Sequence, residues 1–142
     1  MKPSRRQARG DALQILYQLD LNQDVSPNRA LFYFESYYSE HGETDPFTQR
    51  LVMGSVENLA AIDQHVEKYS EHWRMDRMAA VDRNILRLGA FELNFCDDIP
   101  ATVTINEMIE VAKQFGAEGS AAFINGVLDR MKSELNRPGK AP

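Results

Sequence analysis

The sequence predicts an all-α fold of roughly six helices. Three observations support this: apolar residues recur at helical spacing along most of the chain, Gly and Pro separate those segments, and no stretch alternates convincingly as a β-strand would. At 142 residues, the chain is long enough for one ordinary domain or for two small helical halves that share a core.

The composition is typical of a soluble globular protein, with 43% hydrophobic and 26% charged residues. No apolar run approaches the ~20 residues that span a bilayer, so we expect no membrane partner. The N-terminus lacks the apolar segment of a signal peptide, and the single cysteine, Cys96, excludes an internal disulfide. These features predict a cytoplasmic protein in which Cys96 is a small, buried side chain.

The charge is unevenly distributed along the chain. Lys2, Arg5, Arg6 and Arg9 place +4 within the first nine residues, so a net charge of −5 leaves −5 − 4 = −9 on the remainder. A short basic arm on an acidic body indicates one patch for a polyanion and another surface for a basic partner.

The first helix is predicted from about residue 5 to residue 22. Along it, Arg6, Arg9, Leu13 and Tyr17 follow one another at spacings of +3, +4 and +4, which directs two guanidinium groups toward a tyrosine ring. Single-stranded RNA is commonly held in this way, because cations bind phosphates and an aromatic face stacks on a base. The alternative is a solvated basic helix start with Tyr17 packed into the core.

The next two helices are predicted from their cap residues. Ser26 followed by Pro27 starts a helix that runs roughly to residue 40, and Asp45 followed by Pro46 starts another. Apolar spacing continues without a break from residue 46 to residue 69, which predicts one long third helix. The turn that follows contains Trp73, Met75 and Met78, which we expect to fill the joint between two halves of the molecule.

The central helix is predicted from about residue 78 to residue 95 and is apolar on two sides. One side carries Val81, Ile85 and Leu88, and the other carries Leu86, Ala90 and Leu93. A surface helix has one apolar stripe, so two stripes predict that this helix lies between the others. Arg83, Arg87 and Asn94 share the narrow polar sector that remains.

Two further helices complete the prediction. Thr104 and Glu107 form a capping-box pattern that starts the fifth helix, which ends at Phe115. The sixth runs from about residue 120 to residue 136, and within it Gly126 is interpreted as a close contact between helices.

The sequence carries no signature of catalysis or of a bound cofactor. It lacks the glycine-rich phosphate loops, the zinc-protease motif and the serine-hydrolase elbow. His65 and His72 are separated by seven residues, about 10 Å of helix, which is too far for one metal ion. We therefore expect a binding protein with no enzymatic activity, no cofactor and no metal.

Several segments along the chain form a recognisable series. They are residues 73–78 (WRMDRM), 81–88 (VDRNILRL), 105–115 (INEMIEVAKQF) and 123–129 (FINGVLD), together with residues 5–9 (RRQAR) and the following Leu16 and Tyr17. In this order they resemble the NusB family of transcription antitermination proteins. The resemblance covers essentially the whole chain. It implies a single NusB-like domain over residues 1–142, with two packed three-helix halves at residues 1–75 and 76–142.

The resemblance also implies a function. Proteins of this family pair with NusE, a small-subunit ribosomal protein, and the pair binds the boxA element of nascent single-stranded RNA. The complex assembles on RNA polymerase and suppresses termination in ribosomal RNA operons.

The positions that match the family's RNA-binding residues are Lys2, Arg5, Arg6, Arg9, Tyr17, Phe115 and Phe123. Those that match the face toward the ribosomal protein are Asp82, Leu86 and Glu92. Leu86 serves equally well as a core residue, and a partly buried core role stays open for both phenylalanines. Gly119 and Ala122 depart from relatives that carry an acid and a base there, which predicts weaker RNA binding through that loop.

Two other functions remain open from the sequence. The chain is alternatively a helical protein-interaction module, such as a homodimer that buries its basic arm in the interface. The fold also resembles a domain of ribosomal RNA cytosine methyltransferases, although this chain contains no cofactor-binding segment.

Overall fold

Helices account for most of the computed structural model, which describes residues 3–38, 42–71, 73–135 and 140–142. Over these ranges there are seven α-helices and no strand, and none of the helices is long and apolar enough to cross a membrane. The helices are α1 (Arg5–Leu21), α2 (Pro27–Tyr37), α3 (Pro46–Glu57), α4 (Leu59–Tyr69), α5 (Ala80–Phe95), α6 (Ala101–Phe115) and α7 (Ser120–Ser133), with a short 3-10 turn at Met75–Arg77 before α5. The all-α prediction is therefore confirmed.

The predicted starts of α2 and α3 are confirmed. The Ser26 hydroxyl accepts a hydrogen bond from the Arg29 amide at 3.2 Å, and the Asp45 carboxylate accepts one from the Phe47 amide at 2.8 Å. Each cap satisfies an amide that has no partner within the helix, and a proline occupies the next position. The predicted extension of α2 toward residue 40 lies partly outside the described residues.

The prediction of one long third helix is wrong, because the chain breaks at Asn58 between α3 and α4. Asn58 has φ −114° and ψ 20°, and its side-chain amide donates to the Gly54 carbonyl at 2.8 Å. Asparagine side chains compete with the backbone in this way, and α3 ends at Glu57. The apolar stripe continues through the break, since Ile62, Val66 and Tyr69 are buried, but Leu59 beside Asn58 is exposed.

Helix α5 lies at the centre of the molecule, as its two apolar sides predict. It packs against α1, α3, α4, α6 and α7. Its polar sector faces α1 and α4, where each polar side chain has a partner. Arg83 pairs with Asp20 of α1 at 2.6 Å, and Arg87 pairs with Asp63 of α4 at 2.8 Å. These ion pairs fix the direction of α5 against α1 and α4.

The predicted capping box at Thr104 and Glu107 is wrong. Helix α6 begins one turn earlier, at Ala101, with Pro100 as the cap residue. Thr104 therefore lies inside the helix, and its hydroxyl donates to the Glu92 carboxylate at 2.9 Å. Glu107 is available for a contact with α1 that is described below.

The assignment of a close contact between helices to Gly126 is wrong, and Gly54 and Gly89 are positions where another helix does approach closely. A Cβ at Gly89 would lie 2.8 Å from the Leu128 methyl groups, whereas a Cβ at Gly126 would meet only Arg130 of its own helix at 3.5 Å. Leu128 of α7 thus packs against the α5 backbone at a position where α5 has no side chain. The buried apolar residues of all seven helices form one cluster, and the predicted boundary between residues 75 and 76 falls within the 3-10 turn.

Candidate nucleic-acid interface

The arginines of α1 differ in burial and in their acidic partners, although Arg5 and Arg9 both lie against the Phe47 ring. Residues three or four apart lie on the same face of a helix, so the helical pattern alone does not separate Arg9 from Arg5 and Arg6; their contacts do. The Arg5 guanidinium lies over the Phe47 ring at 4.3 Å on the α3 side, whereas Arg6 extends toward α6. Arg9 points into the core. Lys2, the fourth residue of the predicted arm, lies outside the described residues.

Arg9 is not presented to solvent, which corrects its placement in an exposed arm. It is 1% exposed, and its Nε and a terminal nitrogen donate to the two Glu92 carboxylate oxygens at 2.7 and 2.9 Å. Glu92 and Leu86, both predicted to contact a protein partner, are also completely buried. A buried charge requires an opposite charge and hydrogen bonds, and Arg9 and Glu92 supply these to each other. Of the predicted partner-binding residues, only Asp82 reaches the surface, where it is half-buried.

Arg6 lies at the surface and borders a polar groove between α1 and α6. Its Nε donates to the Glu107 carboxylate at 2.8 Å, and its side chain remains 58% exposed. The hydrogen bond that Arg6 donates to the Glu107 carboxylate raises the pKa of Arg6. The groove has a volume of about 390 Å³ and is lined by Ser4, Arg6, Gln7, Gly10, Asp11, Gln14, Gln114 and Phe115.

Phe115 forms the aromatic edge of this groove. The ring is partly buried and packs over Gly10 of α1, where a Cβ would lie 3.2 Å from its Cε2 atom. Because Gly10 has no side chain, the ring approaches the α1 backbone. This packing brings the predicted RNA-binding residues Arg6 and Phe115 to one groove.

Tyr17 lies on the same side of α1 as Arg6, eleven residues and about 16 Å further along the axis. The ring is 36% exposed, so it is not sealed in the core as the alternative interpretation requires. It borders a second groove, of about 470 Å³, between α1 and α2. Arg29 and Tyr33 of α2 also line this groove.

Phe123 lies on α7, after the turn that follows Phe115, and is partly buried. Its ring meets Trp73 edge-on, with ring centroids 6.3 Å apart and planes at 70°. The prediction that Trp73 fills the joint between the halves is wrong, because Trp73 is 54% exposed and only Met75 and Met78 are buried there.

The described part of the chain contains no candidate metal centre. No group of three or more His, Cys, Asp or Glu residues is arranged to hold a metal ion, and His72 lies outside the described residues. Cys96 is buried as predicted, and burial raises the pKa of its thiol to about 11. A thiol with so high a pKa remains protonated and unreactive at neutral pH.

The sequence analysis did not single out Gln14, and it gave Glu107 and Trp73 roles that the structure does not support. Glu107 was assigned to a helix cap, although it lies near the start of α6 where it faces Arg6. Gln14 falls between Arg6 and Tyr17 on the same side of α1, so the helical phase contained the signal. Trp73 offered no periodic signal, since it precedes the 3-10 turn and belongs to no helix.

Comparisons with known proteins agree with this architecture. The NusB family model matches residues 6–133. The transcription antitermination protein NusB of Bacillus licheniformis is 47% identical over 131 residues, covering 92% of this chain and 98% of that protein. The NusB protein of Bacillus subtilis is 41% identical over 133 residues, covering 94% of this chain and 98% of its own length.

Solved structures show the same fold. The NusB structure from T. maritima superposes with a TM-score of 0.85 at 38% identity and covers 99% of this chain and 98% of its own. A crystal structure of the antitermination factors NusB and NusE in complex with double-stranded RNA superposes with a TM-score of 0.79 at 28% identity, covering 91% of this chain and 96% of its matched chain. This chain belongs to the NusB family.

Proposed function

We propose that this chain is a transcription antitermination factor that binds boxA-type single-stranded RNA together with the ribosomal protein NusE and joins the antitermination complex on RNA polymerase. The observation that carries the proposal is the α1–α6 groove, where a surface guanidinium and an aromatic ring lie side by side on an acidic body. Such a factor acts on nascent transcripts in the cytoplasm. Its role is binding, and the proposal requires no catalytic step.

Arg6 is the phosphate-binding residue of the proposal. Its partner Glu107 is partly exposed, so a phosphate can replace the carboxylate without leaving a buried charge unpaired. Arg9 cannot exchange its partner for a phosphate in this way, because Glu92 would then be left as an unpaired charge in the core. We therefore exclude Arg9 from the RNA contacts and assign it a structural role.

Phe115 and Tyr17 are the base-stacking residues of the proposal. Both rings lie beside grooves on the side of α1 that carries Arg6, and Gln14 offers an amide between them. Stacking on aromatic rings tolerates any base, whereas the amide and guanidinium groups hold the strand in register. A path of about 16 Å from Arg6 to Tyr17 is long enough for several unstacked nucleotides.

The relatives support both partners of the proposal. The solved complex holds NusB with NusE and RNA, although that RNA is double-stranded. In this chain, Asp82 is the residue we assign to the basic ribosomal protein, because the acidic body and a basic partner would associate faster through charge attraction. Replacing Asp82 with lysine should slow that association.

The test is an RNA titration of Arg6→Ala, measured by fluorescence anisotropy of labelled boxA RNA at several salt concentrations. Losing one phosphate contact should weaken binding and reduce the slope of log K against log salt by about 0.7. The control is Lys68→Ala, which removes an equal charge from α4, a helix that packs against α5 and α7. Equal affinities and slopes for Arg6→Ala and the unmodified protein would refute the role of the groove.

A further inference from the structure

Helix α2 presents an aromatic face that no other part of the described chain covers. Phe32, Tyr33 and Tyr37 are between 52% and 70% exposed, whereas Leu31 and Phe34 on the opposite side of the helix are buried. Soluble monomers seldom leave several large rings together in water, and such a patch marks a contact with another molecule.

The order of the exposed side chains along α2 makes this face complementary to itself. Arg29, Tyr33 and Tyr37 follow one another at intervals of four residues, so they form one ridge along the helix. The Tyr33 and Tyr37 rings contact each other, with centroids 4.6 Å apart. When two such ridges meet antiparallel about a two-fold axis at Tyr33, the Arg29 guanidinium of each copy lies over the Tyr37 ring of the other.

The charges on α2 permit this pairing, although the chain as a whole is acidic. A net charge of −5 means that most contacts between two copies bring like charges together. Helix α2 contains one acid, Glu35, which lies on the side opposite the ridge, where its carboxylate accepts hydrogen bonds from the Thr44 amide and hydroxyl at 3.0 and 2.6 Å. Asp24 lies outside the helix, in the loop before it. The two Arg29 residues are eight residues of helix rise apart, about 12 Å, because the axis passes midway between them.

The exposed area is large enough for a specific interface. Leu21 at the end of α1 is also exposed, and it borders the same groove as Tyr33. Since a large aromatic side chain buries about 150–250 Å² when it is fully covered, the exposed parts of these two residues, Phe32 and Tyr37 amount to roughly 500 Å² per copy. Two copies would therefore bury about 1,000 Å² from these side chains alone, which is the lower limit of a specific protein–protein interface.

We infer that two copies of this chain pair through α2, with the ridge of Arg29, Tyr33 and Tyr37 at the centre of an antiparallel, two-fold interface. A second copy fits the ridge better than an unrelated protein does, because Arg29 and Tyr37 supply each other's partners across the axis. This pairing differs from a dimer that buries the basic arm, since no residue of α2 lines the α1–α6 groove. It goes beyond the proposed function and does not depend on it.

The test is the oligomeric state of the full chain, measured by sedimentation equilibrium across the micromolar range. The unmodified protein should show a monomer–dimer equilibrium. Tyr33→Glu should raise the dissociation constant of the dimer by at least about tenfold, because it places two carboxylates opposite each other at the axis. Trp73→Glu is the matched control, since it makes the same kind of change at an exposed ring outside α2 and should leave the equilibrium unchanged. Circular dichroism checks that both variants are folded.

A monomer at every concentration would overturn the inference, as would a dimer that Tyr33→Glu and Trp73→Glu weaken equally or not at all. Arg29→Glu tests the antiparallel direction, because it should weaken the dimer by placing an acid over the Tyr37 ring of the other copy. Adding Tyr37→Arg to Arg29→Glu should restore pairing, since each glutamate then faces an arginine. A double variant as weak as Arg29→Glu alone would refute the antiparallel arrangement.

Disulfide cross-linking gives an independent measurement of the symmetry. A residue on a two-fold axis lies opposite its own copy, so Tyr33→Cys should form an intermolecular disulfide under mild oxidation. Cys96 does not compete, because it is buried. Trp73→Cys places a thiol at another exposed position and should cross-link at least about tenfold more slowly, since it pairs only by chance collision. Equal cross-linking rates in the two variants would refute the inference.

Discussion

Two arginine–glutamate pairs connect α1 to other helices, and they differ mainly in their access to water. Arg6 and Glu107 join α1 to α6 at the surface, with nitrogen–oxygen distances of 2.8 and 3.3 Å. Arg9 and Glu92 join α1 to α5 in the core, with distances of 2.7 and 2.9 Å, and their side chains are 2% and 0% exposed. In both pairs, Nε and one terminal nitrogen of the arginine donate to the two carboxylate oxygens of the glutamate.

The difference in burial assigns different roles to chemically identical pairs. At the surface, water replaces a lost partner, so the guanidinium of Arg6 is free to exchange Glu107 for another anion at little energetic cost. In the core no water compensates, and loss of either partner leaves an isolated charge in a medium of low polarity. One pair can therefore participate in binding, whereas the other holds the helices in place.

The largest expected effect comes from breaking the buried pair. Glu92→Ala should lower the free energy of unfolding by about 3–5 kcal/mol, because it leaves the Arg9 charge unpaired in the core. It also removes the acceptor of the Thr104 hydroxyl. Urea unfolding followed by circular dichroism measures the change.

The surface pair provides the control for this prediction. Glu107→Ala removes the same kind of partner from Arg6, and the free energy of unfolding should change by at most about 1 kcal/mol. Similar losses in the two variants would contradict the roles that burial assigns to the pairs.

The second prediction concerns RNA affinity and has a smaller expected effect. Glu107→Gln removes a negative charge beside Arg6 while keeping the shape of the side chain, so boxA RNA should bind roughly two- to fivefold more tightly, as expected for about 1 kcal/mol between charges near water. Anisotropy titrations at low salt measure the change. The double variant Arg6→Ala with Glu107→Gln should lose most of this gain in RNA affinity. A gain that persists in the double variant would show that the phosphate binds at a residue other than Arg6.

Most of the helices could be predicted because a helix that buries one face carries apolar residues at regular spacing in the sequence. The two apolar sides of α5 predicted its central position, and the cap residues Ser26 and Asp45 predicted where α2 and α3 begin. The break at Asn58 was not predictable in this way, since the apolar spacing continues through it. There a side-chain hydrogen bond to Gly54 outweighs the pattern.

The candidate site was harder to predict because the sequence shows which residues are charged but not which residues they pair with. Arg6 and Arg9 look equivalent in the helical pattern, yet Arg9 finds a buried acid 83 residues away in the chain. Only the packing of α5 and α6 against α1 determines which arginine reaches water. The prediction that Trp73 is buried in the joint failed for the same reason, since exposure in an irregular segment depends on what the tertiary fold leaves uncovered.

The smallest expected effect concerns a third arginine–carboxylate pair, Arg50 with Asp98, which is open to water on both sides. The hydrogen bond from Arg50 lowers the pKa of Asp98 from 3.8 to about 2. Because the folded-state pKa lies below the unfolded one, the pair stabilises the fold above about pH 4 and loses that contribution as the pH falls toward 2. Exposure and screening reduce the gain to less than about 0.5 kcal/mol. Urea unfolding of Asp98→Asn should therefore match the unmodified protein at pH 2 and differ by only that amount at pH 7. A larger difference at neutral pH would show that exposed and buried pairs contribute alike in this fold.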